Sequence, residues 1–227
     1  MRKIVVLIFL VSGLFSYTQN NGLESGAGSL GKLTLGKPMN INFNSSKELV
    51  GSEYLDIEFK SAKIITNEEK TTTVDARFNT YAQEIEIKLN GEVLALNHNI
   101  VKSVELDEKT FVPIKDESSK FIFAEVLVNG NLSLYKKYKA IIKEGKIKEG
   151  IQTETPKDKI VIKEYFLVHK VNSEAYSLLK LKKKTILEIF NNDKEVISFV
   201  KDNKLSYKKL EDVIKIFLYF NKENTSL

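Results

Sequence analysis

The most regular stretch of the chain is a β-prone run from Phe121 to Tyr138, which is interrupted by Asn129 and Gly130. Because Asn and Gly both accept positive φ, this dipeptide predicts a two-residue hairpin of type I′. The opposed residues would be Leu127 and Leu132, Glu125 and Leu134, and Phe123 and Lys136. The other face of the first strand carries only apolar residues: Ile122, Ala124, Val126 and Val128. A strand that is apolar on both faces belongs inside a sheet.

A second hairpin is predicted around Asn90 and Gly91 by strict alternation. One face of its first strand carries Ile85, Ile87 and Leu89, and the other carries Glu84, Glu86 and Lys88. A two-residue loop places Ile87 opposite Leu94 and Ile85 opposite Leu96, so the apolar face continues across the pair. We expect one face to join the core and the other to face solvent.

The remaining strand-like runs are short and bounded by polar turns. They are Leu55–Phe59, Ala62–Thr66, Thr72–Phe78, Val101–Leu106, Thr110–Ile114, Ile160–His169 and Tyr176–Leu181.

Near residue 183 the period of apolar residues changes from two to 3.6. A short helix is predicted over Thr185–Asn191, a second is capped by Asp193, and a third is capped by Ser206. The third carries a wide apolar stripe: Leu210, Val213, Ile214, Phe217 and Leu218. Ile216, Tyr219 and Phe220 extend that stripe to a second face, which predicts either an interaction face for a partner or second copy, or a face covered by the neighbouring helices.

Strands followed by helices predict an α+β fold. We expect an antiparallel β body over residues 53–182, barrel-like or a sandwich, on which small C-terminal helices of residues 183–227 pack. Residues 1–16 have the charged start and short apolar run of a secretory signal peptide, with an uncleaved membrane anchor as the alternative. Cleavage after Ser16 or Thr18 fits this pattern. Residues 17–52, rich in Gly, Asn and Ser, predict a flexible leader.

Composition narrows the class of protein further. The absence of cysteine excludes a disulfide scaffold, a lipoprotein anchored through cysteine and a thiolate metal site. The 42% hydrophobic content supports a folded core. Loss of Arg2 and Lys3 with the signal peptide lowers the net charge from +5 to +3, which weakens the case for a general polyanion partner.

The segment GAGSLGKL at residues 26–33 nearly satisfies a phosphate-loop pattern. It lacks the preceding strand and following helix that such a loop needs, and Leu33 replaces the hydroxyl that would hold magnesium. A flexible linker is the better interpretation. We predict no cofactor, no metal and no nucleic-acid partner.

Few residues offer catalytic chemistry. His98 and His169 are predicted to be solvated or surface residues rather than metal ligands. Five carboxylates alternate along predicted strands, as general acid and base pairs do in glycosidases, although any solvated face has the same pattern: Asp56, Glu58, Asp75, Glu84 and Glu86. No catalytic residue is assigned from these patterns.

A basic run after the first hairpin includes Lys136, Lys137 and Lys139, interleaved with Tyr135 and Tyr138. Secretion argues against nucleic acid as its partner. Two interpretations remain: lysines that block pairing at a sheet edge, and a contact with an anionic envelope surface.

Several segments together resemble a group of uncharacterised secreted proteins of Bacteroidota. They are GSEYLDIEFKSAKI (51–64), VDARFNTYAQEIEIK (74–88), FAEVLVNGNLSLYKKYK and the amphipathic tail that ends in KKLEDVIKIFLYFN. Departures from the group's pattern are Glu53, where a proline is typical, and Lys137, where an arginine is frequent. The resemblance implies a Gram-negative cell envelope and no particular chemistry.

Taken together, the sequence predicts a secreted protein, periplasmic or on the outer surface of a Gram-negative bacterium. We expect a non-enzymatic binding or structural module whose partner is an envelope protein or polymer, with self-association as a further option. A hydrolase acting on an envelope polymer is the alternative.

Overall fold

The computed structural model of the chain describes residues 35–38, 49–116, 118, 120–145, 157–173 and 175–223. Their strands are β1 (Gly36–Lys37), β2 (Leu49–Val50), β3 (Lys60–Thr66), β4 (Thr71–Asn79), β5 (Glu84–Leu89), β6 (Glu92–Leu96), β7 (Val101–Leu106), β8 (Lys109–Lys115), β9 (Phe121–Val128), β10 (Leu132–Lys143), β11 (Asp158–Lys170) and β12 (Ser177–Leu179). Their helices are α1 (Lys183–Ile189), α2 (Lys194–Asp202) and α3 (Leu210–Glu223).

The described strands belong to one open sheet, in the order β1-β6-β5-β4-β3-β7-β8-β9-β10-β11-β12. Neighbouring strands are antiparallel, except that β2 pairs in parallel with the start of β11. The three helices follow the last strand. The α+β prediction, with an antiparallel body and C-terminal helices, is therefore confirmed.

The hairpin at Asn90 and Gly91 is confirmed. Both residues have positive φ, +50° and +81°, as a type I′ turn requires. Ile87 lies opposite Leu94, which is the predicted register. The turn residues and the apolar face specify the same register here, so the local sequence was sufficient to predict this hairpin.

The hairpin at Asn129 and Gly130 forms, but its predicted turn type and register are wrong. Three residues connect β9 to β10, and neither Asn129 nor Gly130 has positive φ. Lys136 lies opposite Glu125 instead of Phe123, and the pairing shifts at a bulge. β9 nevertheless lies between β8 and β10, inside the sheet as predicted.

Gly130 is needed for a close approach by helix α3. A Cβ on Gly130 would lie only 2.5 Å from Cγ of Asn221. The Asn221 side chain accepts a hydrogen bond from N of Leu132 and donates one to its carbonyl oxygen, both at 2.9 Å. A residue far along the chain therefore fixes the shape of this hairpin tip.

The first hydrophobic core lies on one face of strands β3 to β10. Its largest fully buried members include Phe78, Phe111, Phe123, Ile64, Ile85 and Ile87. The turn between β4 and β5 reaches across to β10, where N of Ala140 donates to the carbonyl oxygen of Thr80 at 3.1 Å. Nε2 of Gln83 also donates to the carbonyl oxygen of Tyr138, at 2.5 Å. The sheet is therefore strongly curved around this core.

A second core joins the helices to the β9–β10 hairpin and to β11. It contains Phe190 and Phe217, whose rings meet edge to face at 5.1 Å. Asp193 caps α2 as predicted, because its side chain accepts hydrogen bonds from N of Glu195 and N of Val196. Helix α1 begins two residues earlier than predicted, and α3 begins at Leu210, four residues beyond Ser206.

The N-terminal part of the chain contributes more than the sequence pattern indicates. β1 and β2 both fall within residues 17–52, for which a flexible leader is predicted. The predicted strand over Leu55–Phe59 does not form, and only Tyr54 makes an isolated bridge, with Asn79. The signal peptide and the GAGSLGKL segment lie outside the described residues.

Candidate ligand-binding site

A pocket of about 330 Å³ opens on one face of β10, β11 and β12. It is lined by Asp116, Ser118, Lys137, Lys139, Tyr165, Leu167, Tyr176 and Leu178. Alternate residues of β10 and β11 reach it because successive side chains of a strand point to opposite faces. Lys137 lies directly opposite Tyr165 in the pairing of these strands. The pocket thus combines aromatic rings, an apolar floor and cations.

The aromatic wall is held in place by ring contacts. Tyr176 meets Tyr135 edge to face, with ring centroids 5.6 Å apart, and stacks on His169 at 4.5 Å. Burial raises the pKa of Tyr176, and the neighbouring Tyr135 raises it further, so its phenol is neutral at physiological pH. Leu167 is buried beneath these rings, whereas Leu178 is 45% exposed at the rim.

Asp116 fixes the loop between β8 and β9 at the side of the pocket. Its Oδ1 atom accepts hydrogen bonds from N and Oγ of Ser118, at 2.9 and 2.6 Å, and from N of Lys120 at 3.2 Å. Nζ of Lys137 lies 3.3 Å from Oδ2. Burial alone would raise the pKa of Asp116, but these hydrogen bonds and the Lys137 charge outweigh it and hold the pKa below its usual value. Asp116 therefore neutralises Lys137.

Two pairs of opposed lysines lie on the same face of β10 and β11 as Lys137. Lys139 is directly opposite Lys163, and Lys143 is directly opposite Lys159. All four residues are exposed, and none of them forms an ion pair with another described residue. We call this face, with Lys137, Lys139, Lys143, Lys159 and Lys163, the lysine face. The register of the long β10–β11 ribbon creates it.

Lys136 lies on the opposite face, away from the lysine face. Its side chain is 14% exposed, and Nζ lies 3.8 Å from carboxylate oxygens of both Glu125 and Glu164. The Tyr138 hydroxyl donates to Oε2 of Glu125 at 2.5 Å, and burial followed by this hydrogen bond raises the pKa of Tyr138. The predicted lysine cluster is thus divided: Lys137 and Lys139 line the pocket, and Lys136 does not.

The predicted interaction face on α3 is covered by the chain itself. Ile216 has no exposed surface. Tyr219 stacks on Phe199 of α2 at 4.0 Å, and Phe220 packs on Phe190 at 4.9 Å. The short helices before α3 therefore cover this second face, and the large apolar residue left exposed on α3 is Leu218, at 53%. The alternative of a face covered by neighbouring helices is the one that the structure supports.

The alternating carboxylates on β5 do not face solvent, which corrects the expectation for that face. Glu86 has no exposed surface, and its Oε2 atom lies 2.8 Å from Nε of Arg77. Its Oε1 atom accepts hydrogen bonds from Nδ2 of Asn79 at 3.0 Å and from the Tyr54 hydroxyl at 3.2 Å. The Arg77 guanidinium also stacks on the Tyr54 and Phe59 rings, at 3.7 and 4.4 Å. This cluster fastens residues 54–59 to the sheet.

The next carboxylate, Glu84, is partly buried. Its Oε1 atom lies 2.7 Å from Nζ of Lys37, which also contacts Nδ1 of His98 at 3.2 Å. Burial raises the pKa of Glu84, and the hydrogen bond from Lys37 opposes that shift. Burial and then the Lys37 charge lower the pKa of His98, which stacks on Phe121 at 4.4 Å. His98 lies in the turn after β6, as predicted, but it is half-buried and packs on Phe121 instead of being fully solvated.

The other predicted residues do not all share one centre. Asp56 pairs with Lys60 at 2.5 Å, and Glu58 and Asp75 are exposed. Nε2 of His169 lies 2.7 Å from the carbonyl oxygen of Ser173, beside the pocket wall. Asp56 and Glu58 line a second pocket, of about 150 Å³, beside Lys60 and Asp107, whereas Asp75, Glu84, Glu86 and the two histidines do not line it.

Sequence reasoning missed Tyr165, Tyr176 and Lys163 as site residues. Each lies in a segment that was predicted as strand or strand end, and the pattern of apolar residues within one strand does not reveal its partner. The connection between β10 and β11 is long, so no turn signal fixes their register. The signal that was present is the shared alternation of basic and aromatic residues in Lys137–Lys139 and Lys163–Tyr165.

Among the described residues, no group of three or more His, Asp or Glu side chains is arranged to hold a metal ion. No helix in the described ranges is long and apolar enough to cross a membrane. No protein-family model, curated protein or solved structure matches the chain.

Proposed function

We propose that this chain is a non-enzymatic binding module of the cell envelope, and that the pocket on β10–β12 binds a segment of an envelope polymer. One observation carries the proposal: a preformed concavity of about 330 Å³ in which the Tyr165 and Tyr176 rings lie beside lysines. Ligand pockets typically measure about 300–1,000 Å³ and combine apolar walls with a few polar groups. The secretory pattern of the first residues supports the compartment, and the resemblance to secreted Bacteroidota proteins agrees with it.

Contacts within the chain already hold several side chains of the pocket. Tyr176 is fixed between Tyr135 and His169, and Asp116 ties the β8–β9 loop to Lys137. A site whose side chains are already ordered loses little conformational entropy on binding. This arrangement favours recognition of a ligand over a mobile active site that closes around a substrate.

The test uses two exposed leucines. Leu178→Trp fills the pocket at its rim, whereas Leu218→Trp makes the same change on α3, outside the pocket. Because the chain has no tryptophan, each introduced indole is also the sole one and reports a nearby ligand by its fluorescence. The full secreted protein is equilibrated with soluble fragments of cell-wall and capsular polysaccharides, and bound fractions are measured by sedimentation.

We expect Leu178→Trp to weaken binding about tenfold or more, a loss of roughly 1.4 kcal/mol, while Leu218→Trp binds as the unchanged protein does. Equal binding by both variants would show that the pocket is not the site. Absence of binding to every polymer would remove the proposed function. Release of new reducing ends from a polymer would favour the hydrolase alternative instead.

A further inference from the structure

We propose that the polymer is an acidic polysaccharide, and that it lies along the lysine face from the pocket towards Lys143 and Lys159. This inference rests on the proposed function, because it names the chemical class of the ligand of the same site. Its starting point is the unusual pairing of the β10–β11 ribbon. Two lysine pairs, Lys139 with Lys163 and Lys143 with Lys159, lie directly opposite each other on one face.

Like charges at directly opposed positions destabilise a sheet. Side chains at such positions have Cβ atoms about 4.5–5.5 Å apart, so the ammonium groups of each pair repel each other. Within the described part of the chain, no carboxylate pairs with any of these four lysines. A bound anion would relieve the repulsion in both pairs.

The interpretation of these lysines as edge-blocking residues competes with ligand binding. β10 pairs with β11 over its whole length, from Leu132 to Lys143. Within the described ranges, however, β9 pairs with β10 only at Leu134–Lys136, and β12 pairs with β11 only at Phe166–Val168. The outer edges of this ribbon are therefore largely open among the described strands, and edge blocking is the competing explanation that the lysine variants test.

The spacing fits a ligand that carries repeated negative charges. Lys139 and Lys143 are four residues apart on one strand, which corresponds to about 13 Å at roughly 3.3 Å per residue. Lys137, in contrast, is neutralised by Asp116 and marks the boundary with the pocket. A single phosphate group would not reach both lysine pairs, whereas a linear polymer with one acidic group on successive sugars would.

The aromatic rings at one end distinguish a saccharide from a flat anionic surface. Tyr165 and Tyr176 line a concave pocket beside Lys139, and a sugar ring is able to enter it and pack on them. A lipid headgroup layer would contact protruding lysines without filling the pocket. The combination of a ring-lined pocket and a row of lysines that have no ion pair among the described residues therefore favours an acidic polysaccharide.

The test compares three charge-matched variants of the full secreted protein. Lys139→Gln with Lys163→Gln removes the inner pair, and Lys143→Gln with Lys159→Gln removes the outer pair. Lys208→Gln with Lys209→Gln removes the same charge from exposed positions before α3. The probes are oligogalacturonate, neutral oligogalactose of the same length, and vesicles of phosphatidylglycerol with phosphatidylcholine.

We expect the unchanged protein to prefer oligogalacturonate to oligogalactose by about tenfold or more at low salt, and added salt to reduce that preference. Each face variant should lose most of the preference, and the control variant should keep it. Thermal midpoints of the face variants should not fall, because removing the like-charge pairs relieves repulsion.

The outcomes separate this inference from the proposed function. Equal binding of the acidic and neutral oligosaccharides, unaffected by the lysine changes, would overturn the anionic class while the binding function stands. Binding to the vesicles but not to oligogalacturonate, with the same dependence on lysine, would assign the face to a membrane and overturn the inference. Absence of binding to either oligosaccharide and to the other envelope polymers would remove the proposed function itself.

Discussion

Replacement of Arg77 by methionine is the most informative test of the fold, because it leaves the buried Glu86 carboxylate without its cation. Glu86 has no exposed surface, and Arg77 is the cation beside its carboxylate. Methionine retains much of the aliphatic volume of arginine and removes the guanidinium. The carboxylate would keep its hydrogen bonds from Asn79 and the Tyr54 hydroxyl, but it would lose its counter-charge.

Removal of one partner from a buried ion pair costs about 3–5 kcal/mol, because the remaining charge is left uncompensated. The side chain of Arg77 is 20% exposed, so water can partly replace it and we expect the lower end, about 3 kcal/mol. Loss of the stacking on Tyr54 and Phe59 acts in the same direction. Such a loss is a large part of the roughly 5–15 kcal/mol that stabilises a typical protein.

Urea unfolding of the two proteins measures this difference, provided that the slope of the transition is unchanged. The matched control is Lys63→Met, since Lys63 pairs across strands with Glu105 while both side chains are nearly half exposed, at 47% and 48%. An exposed pair of this kind contributes about 0–1 kcal/mol. A third protein carries Arg77→Met with Glu86→Gln and should recover part of the lost stability.

Equal destabilisation by Arg77→Met and Lys63→Met would contradict the reasoning, because it would show that the Glu86 carboxylate is solvated. If the double variant were no more stable than Arg77→Met alone, the buried charge would not be the cause of the loss.

Three further predictions concern other parts of the fold. Gly130→Ala should destabilise the protein by about 1–3 kcal/mol, because the added methyl group would overlap with the side chain of Asn221. Gly91→Asn should be nearly neutral, because Asn accepts the positive φ of this position. Urea midpoints of the two variants measure the difference, and a larger loss in Gly91→Asn would contradict both assignments. Ile216→Lys should abolish folding, while Leu218→Lys should leave the far-ultraviolet circular dichroism unchanged; a folded Ile216→Lys variant would show that this face is open. Burial, assisted by the Glu86 charge, raises the pKa of Tyr54 from 10.0 to about 12, so the folded protein keeps a proton that the unfolded chain loses in this range. Stability should therefore fall as pH rises from 10 to 12, and Tyr54→Phe should make that decline less steep; an unchanged slope in the variant would contradict the assignment.

The local elements could be predicted from sequence wherever neighbours along the chain specify them. Asn90 and Gly91 close a type I′ hairpin because both accept positive φ, and the alternation around them fixes the register. Asp193 caps α2 because its carboxylate reaches amides two and three residues later. The change of period near residue 183 marks the start of the helices, and with the preceding strands it was sufficient for the α+β class.

Tertiary structure alone decided features that depend on distant residues. The tip at Gly130 takes its shape from Asn221, so the same dipeptide that predicts a type I′ turn at Asn90 misleads here. Glu86 follows an alternation typical of solvated residues, yet Arg77 and Tyr54 bury it.

The candidate site shows the same division between local and distant information. The sequence indicated the lysines of β10, but strand alternation then placed Lys136 on one face and Lys137 with Lys139 on the other. Their partners on β11 follow a long connection without a turn signal, so only the folded ribbon places Lys163 opposite Lys139 and Tyr165 beside the pocket. Periodicity indicates on which face of its own strand or helix a side chain lies. The pairing of distant strands depends instead on packing over the whole sheet.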